Sequence, residues 1–515
     1  MSKAFPDLRE RSSPLAASVR INAYCLCLAA AVLFFCSMSS PAYPINDWTD
    51  ANIYFTIGKG MTRGMVVYRD LYDHKGPLLY ALHALCALLS PMSFLGVFLL
   101  EVFCAAAFLR SAYRLFTLYG VRRAAYFALP ALALVVYTSY SFQQGDSAEE
   151  LCLPLLAATL CDLCAYFKAG APSRPDARQL ARNGFLFGCV FWMKFTMIGL
   201  HAAYLAALFF ALCTRREWRQ AFRCVGWFFV GFLLATLPWL CYFGANGAVL
   251  DWFKTYLYDN LFLYSTSDSS IGLFSRAKDM LKSGLAWVCE NPQYSLLTFI
   301  GVAWSALRRG AARIERLPAA FAAALCALGV FIGGKSYPYY GLVLAAFAPL
   351  GFIPLCLWLD RRLNALATQR RKPFALCALV CAVCVALCPV LSPNVARSFG
   401  LPREATMQYR FAAILNRYDQ PTLLNYGFMD AGFYTACGIV PNVKYFHQTN
   451  VPLQEMLDEQ VRYIDEGVCD FVVTRGKQPQ SIAQHYELIA TEDSPGFWYD
   501  QVFLYRRKGL RELVR

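Results

Sequence analysis

Long apolar runs separated by short polar segments dominate the pattern of this chain. A transmembrane helix needs about 20 predominantly apolar residues. Candidate runs lie at 21–40, 93–117, 124–142, 150–167, 184–213, 224–243, 292–306, 318–334, 339–359 and 373–391. The apolar segment 76–90 is too short to span, and we expect it to lie at the membrane interface as an amphipathic helix. The pattern predicts an α-helical polytopic membrane protein.

Basic residues between these runs predict which side of the membrane each loop occupies. Short loops rich in lysine and arginine stay in the cytoplasm, and such clusters lie near residues 110–123, 168–182, 215–223, 308–316 and 361–372. The run 184–213 has a basic cluster at both ends and Lys194 near its middle. Because a charge at the bilayer centre is costly, we expect a short hairpin with Lys194 at its outer tip. Counting the hairpin as two predicts about 11 spans, with a cytoplasmic N-terminus and an extracytoplasmic C-terminus.

The predicted topology divides the chain into a cytoplasmic tail (1–20), a transmembrane core (21–391) with a large first outer loop (41–92), and an extracytoplasmic part (392–515). The last part contains the strand-like runs PTLLNYG, DFVVTR and QVFLYRR. Between two of them, LQEMLDEQVRYIDEG has apolar residues at helical spacing. We therefore expect 392–515 to fold as a small α/β domain.

Composition agrees with a membrane protein and excludes several other classes. Of the 515 residues, 58% are hydrophobic and only 16% are charged, whereas soluble domains carry about 25% charged residues. The net charge of +14 does not indicate nucleic acid, because the position of basic residues matters more than their sum in a membrane protein. Most of the 21 cysteines lie in apolar stretches, where cysteine behaves as a small hydrophobe, so they do not form a disulfide framework.

Residues able to do chemistry concentrate on the predicted outer face. Carboxylates can deprotonate a hydroxyl nucleophile, and cations can stabilise a phosphate leaving group. The first loop has both types, the second loop (QQGDSAEELCLP) has carboxylates, and the hairpin tip and GGKSYPYYG each have a lysine. Solvated charges, helix capping by acids, a snorkelling lysine and interfacial tyrosines remain alternative explanations for these residues.

Motifs for other kinds of chemistry are missing from the sequence. It contains no Walker, GxSxG, HExxH or EF-hand pattern, so nucleotide-driven and zinc chemistry find no support. We expect no cofactor; the residues do not indicate a divalent cation, nor do they exclude one.

The outer loops resemble those of the GT-C glycosyltransferases, polytopic enzymes that use polyprenyl-phosphate sugars and include protein mannosyltransferases and the aminoarabinose transferase of lipid A. Asp50 opens DANIYFTIGKGM, and Lys75 precedes Gly-Pro-Leu-Leu in VVYRDLYDHKGPLLY. DSAEELCLP, GFLFGCVFWMKFT and NYGFMDAGFYTACGIVPNVKYF resemble later segments of the bacterial members. The chain departs from the pattern at Ala51, where related enzymes have a second acid, and at KSYPYY, where related proteins often have a His-Tyr pair.

The resemblance implies an inverting hexosyl- or pentosyltransferase in the cell membrane, with Asp50 as the general base that takes the acceptor proton. The candidate catalytic residues are Asp50, Glu149 and Glu150. The candidate donor-phosphate ligands are Lys75, Lys194 and Lys335. The candidate substrate-binding residues are Asp73, His74, Tyr80, Tyr339 and Tyr340. The expected partners are a polyprenyl-phosphate sugar donor, a cell-envelope glycan, lipid or protein acceptor, and the lipid bilayer, with no nucleic acid.

A transporter or lipid-linked sugar flippase without transferase activity is one alternative, and a binding or assembly protein with a catalytically inactive GT-C fold is another. Transporters usually show charged or broken helices near the midplane and paired repeats. Here the ionisable residues lie mostly at the outer rim, although Glu101 and Asp162 fall within spans. Because every base and phosphate-binding candidate precedes residue 341, we expect the chemistry in the membrane portion and a role in acceptor recognition for the tail.

Overall fold

A computed structural model of the chain describes residues 14–264, 273–333, 335–365, 372–476, 478–493 and 501–513. Residues 1–13 of the predicted cytoplasmic tail, and Arg370 and Arg371 of the last basic cluster, lie outside the described residues. Up to residue 391 the described α-helices are α1 (Pro14–Cys36), α2 (Thr49–Thr62), α3 (Pro77–Leu89), α4 (Leu95–Leu118), α5 (Ala125–Tyr137), α6 (Ala148–Lys168), α7 (Ala177–Lys194), α8 (Gly199–Cys213), α9 (Trp218–Ala245), α10 (Val249–Trp252), α11 (Leu273–Glu290), α12 (Pro292–Leu307), α13 (Arg313–Arg316), α14 (Pro318–Phe331), α15 (Ala348–Ala365) and α16 (Lys372–Leu391). Three 3₁₀-helices (Tyr140–Phe142, Phe195–Met197, Pro338–Phe347) and one π-helix (Phe253–Tyr264) complete this part.

Among the described residues, most of each apolar run predicted from the sequence is helical, because a backbone in lipid must satisfy its hydrogen bonds internally. Six helical segments in the described ranges are long and apolar enough to cross a bilayer: Ser18–Cys36, Leu95–Leu118, Ala148–Lys168, Trp218–Ala245, Arg313–Phe331 and Pro338–Leu363. Shorter apolar helices lie at Pro77–Leu89, Ala125–Tyr137 and Ala375–Leu391. The helical membrane character is confirmed, and the count of about 11 spans stays a prediction.

The chain turns sharply where the sequence predicts the tip of a hairpin. Helix α7 ends at Lys194, a 3₁₀-turn continues to Met197, and the directions of the segments Ala177–Met197 and Gly199–Cys213 differ by 117°. Helix α7 also crosses α9 closely: a Cβ atom on Gly184 would lie 1.8 Å from the carbonyl oxygen of Phe228. Only glycine fits at this crossing, and small residues allow such close helix packing in membranes.

Residues after 391 form short helices and a four-stranded mixed sheet. The elements are α17 (Pro393–Ser398), a 3₁₀-helix (Arg403–Ala405), α18 (Met407–Leu415), β1 (Leu423–Asn425), α19 (Phe433–Cys437), α20 (Gln454–Asp465), β2 (Phe471–Thr474), α21 (Ile482–His485), β3 (Tyr486–Asp493) and β4 (Gln501–Arg507). The sheet order is β1-β2-β4-β3, with β1 and β2 parallel and the other two pairs antiparallel. The register pairs Leu423 with Phe471 and Val473 with Leu504.

The three predicted strands and the predicted helix of the tail are present as β1, β2, β4 and α20. Strand β3 was not predicted. The bounds of the predicted domain and its side of the membrane stay predictions. Buried apolar side chains continue without a break from the membrane helices into the sheet, so the tail packs directly on the helical part.

Candidate functional site

Asp50 lies in the first turn of α2, with its side chain almost fully buried. The helix begins at Thr49, directly after Trp48, and has no side-chain cap. The Oδ2 atom of Asp50 accepts hydrogen bonds from the hydroxyls of Tyr54 (3.0 Å) and Tyr339 (3.3 Å). The carboxylate is thus held by one tyrosine from its own helix and one from a distant segment.

The Lys75 ammonium is the cation beside this carboxylate. Its Nζ lies 4.0 Å from Oδ2 of Asp50 and 3.3 Å from Nε2 of His74. Both polar backbone groups of Lys75 are hydrogen-bonded. Its N–H donates to the Tyr80 hydroxyl (3.0 Å), and its carbonyl accepts from the Tyr68 hydroxyl (2.6 Å). Burial alone would lower the pKa of Lys75, but the nearby carboxylates outweigh burial and hold that pKa above its ordinary value.

Asp73 and His74 support Lys75: His74 contacts the Lys75 ammonium, and Asp73 contacts His74. Asp73 accepts from the Tyr80 hydroxyl (2.7 Å), and its Oδ1 lies 3.2 Å from Nδ1 of His74. Burial would raise the pKa of Asp73, but His74 and the charge of Lys75 hold it well below its usual range. Burial and the charge of Lys75 lower the pKa of His74. Because an ammonium can only donate, Nε2 of His74 accepts from Lys75 and the ring proton lies on Nδ1.

The tip of the α7–α8 hairpin brings Lys194 to the same place. Its ammonium pairs with Glu149 and lies over the Tyr340 ring, 3.8 Å from the ring centre. The Gly76 N–H donates to the carbonyl of Met193 (2.9 Å), which ties the first loop to the hairpin. A Cβ atom at residue 76 would lie 2.0 Å from the carbonyl oxygen of Trp192, so this approach requires glycine.

A cavity of about 180 Å³ lies between these segments. All three lysines predicted to bind the donor phosphate, Lys75, Lys194 and Lys335, line it, although they come from three distant parts of the chain. The Nζ atom of Lys335 lies 3.3 Å from the centre of the Tyr264 ring. The arrangement concentrates positive charge around one space next to the Asp50 carboxylate, as an anion site requires.

The π-helix forms one wall of the cavity and was missed by the sequence analysis. It contributes Tyr256, Asn260 and Tyr264, spaced four residues apart. Asn260 donates to the carbonyl of His74 (2.6 Å), and the Tyr264 ring packs against the His74 ring. π-Helical segments are rare and often occur at functional sites. The four-residue spacing of these polar side chains is the sequence signal that could have identified them.

The Glu150 side chain contacts a different group of residues from the side chain of its neighbour Glu149. Its Oε2 accepts from the backbone N–H of Asp146 (2.8 Å), which also contacts Glu101 (2.9 Å). Asp146 in turn pairs with Nε2 of His83 at 2.9 Å. Because successive helical residues point about 100° apart, Glu149 faces the lysines and Glu150 faces this buried group. In the described ranges, no cluster of three or more His, Cys, Asp or Glu side chains has a geometry suited to a metal ion.

No family model and no curated protein matches the chain. Solved structures do match. ArnT from Cupriavidus metallidurans aligns with a TM-score of 0.51 and 15% identity when bound to undecaprenyl phosphate, and with 0.53 and 14% in the apo state; each alignment covers 96% of this chain and 98% of ArnT. The archaeal oligosaccharyltransferase AglB from Archaeoglobus fulgidus, in complex with an inhibitory peptide and a dolichol-phosphate, aligns with a TM-score of 0.46 and 12% identity over 89% of this chain and 70% of AglB. The chain therefore has the fold of ArnT, and the predicted resemblance is confirmed as far as the fold is concerned.

Proposed function

We propose that the protein transfers a sugar from a polyprenyl-phosphate-linked donor to a cell-envelope acceptor on the extracytoplasmic face. One observation carries this proposal: the Asp50 carboxylate lies 4.0 Å from Lys75, and Lys75 shares a cavity with Lys194 and Lys335. A base for a hydroxyl group and a cationic site for a phosphate are the two parts that such a transfer needs. The ArnT structure with undecaprenyl phosphate supports a lipid phosphate as the occupant of this fold.

In the proposed reaction the lysines hold the phosphate of the donor while Asp50 receives the proton of the acceptor hydroxyl. The acceptor oxygen attacks the anomeric carbon, the bond from that carbon to the phosphate oxygen breaks, and polyprenyl phosphate leaves. A single displacement of this kind inverts the anomeric carbon. Tyr54, Tyr339 and Lys75 all approach Oδ2 of Asp50, which leaves Oδ1 to take the proton. Glu149 positions the Lys194 ammonium through their ion pair, and Glu150 positions the loop at Asp146 by accepting from its backbone N–H.

Binding of undecaprenyl phosphate by the purified full-length protein tests the donor site. We expect tighter binding of undecaprenyl phosphate than of undecaprenol, because only the former has the phosphate. Replacing Lys75 by methionine should lower the affinity for undecaprenyl phosphate about 10- to 100-fold, the effect of losing a hydrogen bond to a charged group. The affinity for undecaprenol should not change. Equal affinity for the two lipids would contradict the proposal.

Cells with and without the protein distinguish a transferase from a flippase. Loss of a transferase should leave the lipid-linked sugar intact and remove one sugar from a surface glycan, lipid or protein. The purified transferase should also release polyprenyl phosphate from its donor when acceptor is added. A protein that moves the lipid-linked sugar between leaflets without this release would be a flippase.

Labelling of single cysteines in a cysteine-depleted background tests the proposed orientation. Thr62 and Gln478 are exposed and should react with an impermeant thiol reagent in intact cells. Ser173 and Arg309 are exposed on predicted cytoplasmic loops and should react only after permeabilisation. Labelling at Ser173 in intact cells would overturn the topology.

A further inference from the structure

The tail touches the loop that presents Lys75. The Tyr72 N–H donates to the carbonyl of Lys444 (3.0 Å), and Nε2 of His447 lies 3.3 Å from the carbonyl oxygen of Tyr72. The rings of Tyr72 and Tyr445 pack with their centres 5.3 Å apart. Residues 444–447 therefore bind both the N–H and the carbonyl of Tyr72, which lies three residues before Lys75.

His447 is almost fully buried at this contact. A carbonyl oxygen can only accept, so Nε2 of His447 carries a proton and donates it to Tyr72. Burial lowers the pKa of the His447 imidazole, and the carboxylates of Asp73 and Asp430 oppose this shift. The charges that act on the His447 ring therefore come from both the first loop and the tail.

Helix α2, which carries Asp50, is fixed to the tail by a second set of contacts. Lys59 is buried and donates to the carbonyls of Tyr434 (2.9 Å) and Ile439 (3.1 Å). Thr56 donates to Oδ2 of Asp430 (2.7 Å). Burial disfavours the charged form and lowers the pKa of the Lys59 ammonium to about 7. Three side-chain hydrogen bonds therefore join α2 to the tail.

We propose that the tail is a positioning element of the donor site and that His447 is a positioning residue, holding Tyr72 and through it the Lys75 ammonium. This inference rests on the proposed function, because it assigns the lysine cavity to the donor phosphate. It also changes the expectation drawn from the sequence, in which the donor site lay wholly before residue 341. The loop from Tyr72 to Gly76 is held by the tail at its start, by Asn260 at His74, and by the hairpin at Gly76.

Two amide substitutions at His447 separate positioning from packing. The side-chain nitrogen of glutamine can reach the place of Nε2, whereas that of asparagine is one bond too short. His447→Gln should therefore bind undecaprenyl phosphate within about twofold of the wild type. His447→Asn and His447→Leu should weaken binding about three- to tenfold, the effect of one lost hydrogen bond. His485→Leu, at an exposed position at the end of α21, is the matched control and should leave binding unchanged.

Two further readouts identify a positioning effect. Hydrogen exchange of the backbone in 72–76 should rise in His447→Asn and stay near the wild-type rate in His447→Gln. In the transfer reaction, KM for the donor should rise while kcat falls by less. If His447→Leu does not fold, the comparison of the two amide variants still decides the question.

The outcomes separate this inference from the proposed function. If folded His447→Asn binds undecaprenyl phosphate as the wild type does while Lys75→Met loses binding, the donor site stands and the tail has no positioning role. If glutamine and asparagine weaken binding equally, packing rather than the Tyr72 contact is responsible and the inference is wrong. If the wild type itself does not distinguish undecaprenyl phosphate from undecaprenol, it is the proposed function that fails.

Discussion

Replacing Asp50 by asparagine is expected to lower the rate of sugar transfer by about 10²- to 10⁴-fold, the usual contribution of a positioned general base. The amide keeps the size of the carboxylate, and its oxygen can still accept from the hydroxyls of Tyr54 and Tyr339. It cannot take a proton from the acceptor at neutral pH. The carboxylate of Asp73 remains to balance the Lys75 ammonium, so the variant should keep its fold and its affinity for undecaprenyl phosphate while transfer is lost.

The measurement is the initial rate of polyprenyl phosphate release from the donor in the presence of acceptor. Asp70→Asn is the matched control, because Asp70 lies in the same loop but pairs with the exposed Arg69 and accepts from the Val66 N–H (2.7 Å). An exposed ion pair contributes little to stability, and asparagine can still accept from Val66. Asp70→Asn should transfer near the wild-type rate. A wild-type rate in Asp50→Asn would show that Asp50 is not the base.

The helices of the membrane part could be predicted because lipid leaves the chain few alternatives. Apolar runs near the thickness of the bilayer must form helices, and the positions of α4, α6 and α9 follow from this alone. A turn near Lys194 was also predictable, since a lysine in the middle of an apolar run must reach water or a partner. The same reasoning placed Lys75, Lys194 and Lys335 on one face of the membrane.

Contacts between distant residues could not be predicted in this way. Periodicity places Glu149 and Glu150 at the start of a helix, but only packing decides that Lys194 pairs with Glu149 while Glu150 turns towards Asp146. The π-helix Phe253–Tyr264 was missed because it lies outside the apolar runs from which the helices were predicted.

The contact between His447 and Tyr72 joins residues 375 positions apart, and nothing local in either segment indicates the other. The sequence therefore predicted the three lysines of the cavity but neither the π-helix that lines it nor the contact of the tail with Tyr72.

The pair formed by Lys194 and Glu149 allows the structural and donor-binding roles of a lysine to be separated. The Lys194 side chain is 11% exposed and that of Glu149 2% exposed. Removing one partner of a buried ion pair leaves an uncompensated charge and typically costs about 3–5 kcal/mol, whereas replacing both by neutral groups of similar size is often close to neutral. Lys194→Met alone should therefore lower the free energy of unfolding by several kcal/mol, and Glu149→Gln combined with Lys194→Met should recover most of this loss.

Binding of undecaprenyl phosphate should behave differently from stability in these variants. The double variant has a folded cavity but lacks the Lys194 ammonium, so it should bind undecaprenyl phosphate about tenfold or more weakly than the wild type. The measurements are thermal unfolding in detergent and lipid affinity, made on the same preparations. Arg308→Met combined with Glu315→Gln is the control, because this pair lies on a predicted cytoplasmic loop and should change neither lipid affinity nor transfer. If the double variant at Lys194 and Glu149 regains both stability and wild-type affinity, Lys194 serves only to neutralise Glu149, and the phosphate is held by Lys75 and Lys335.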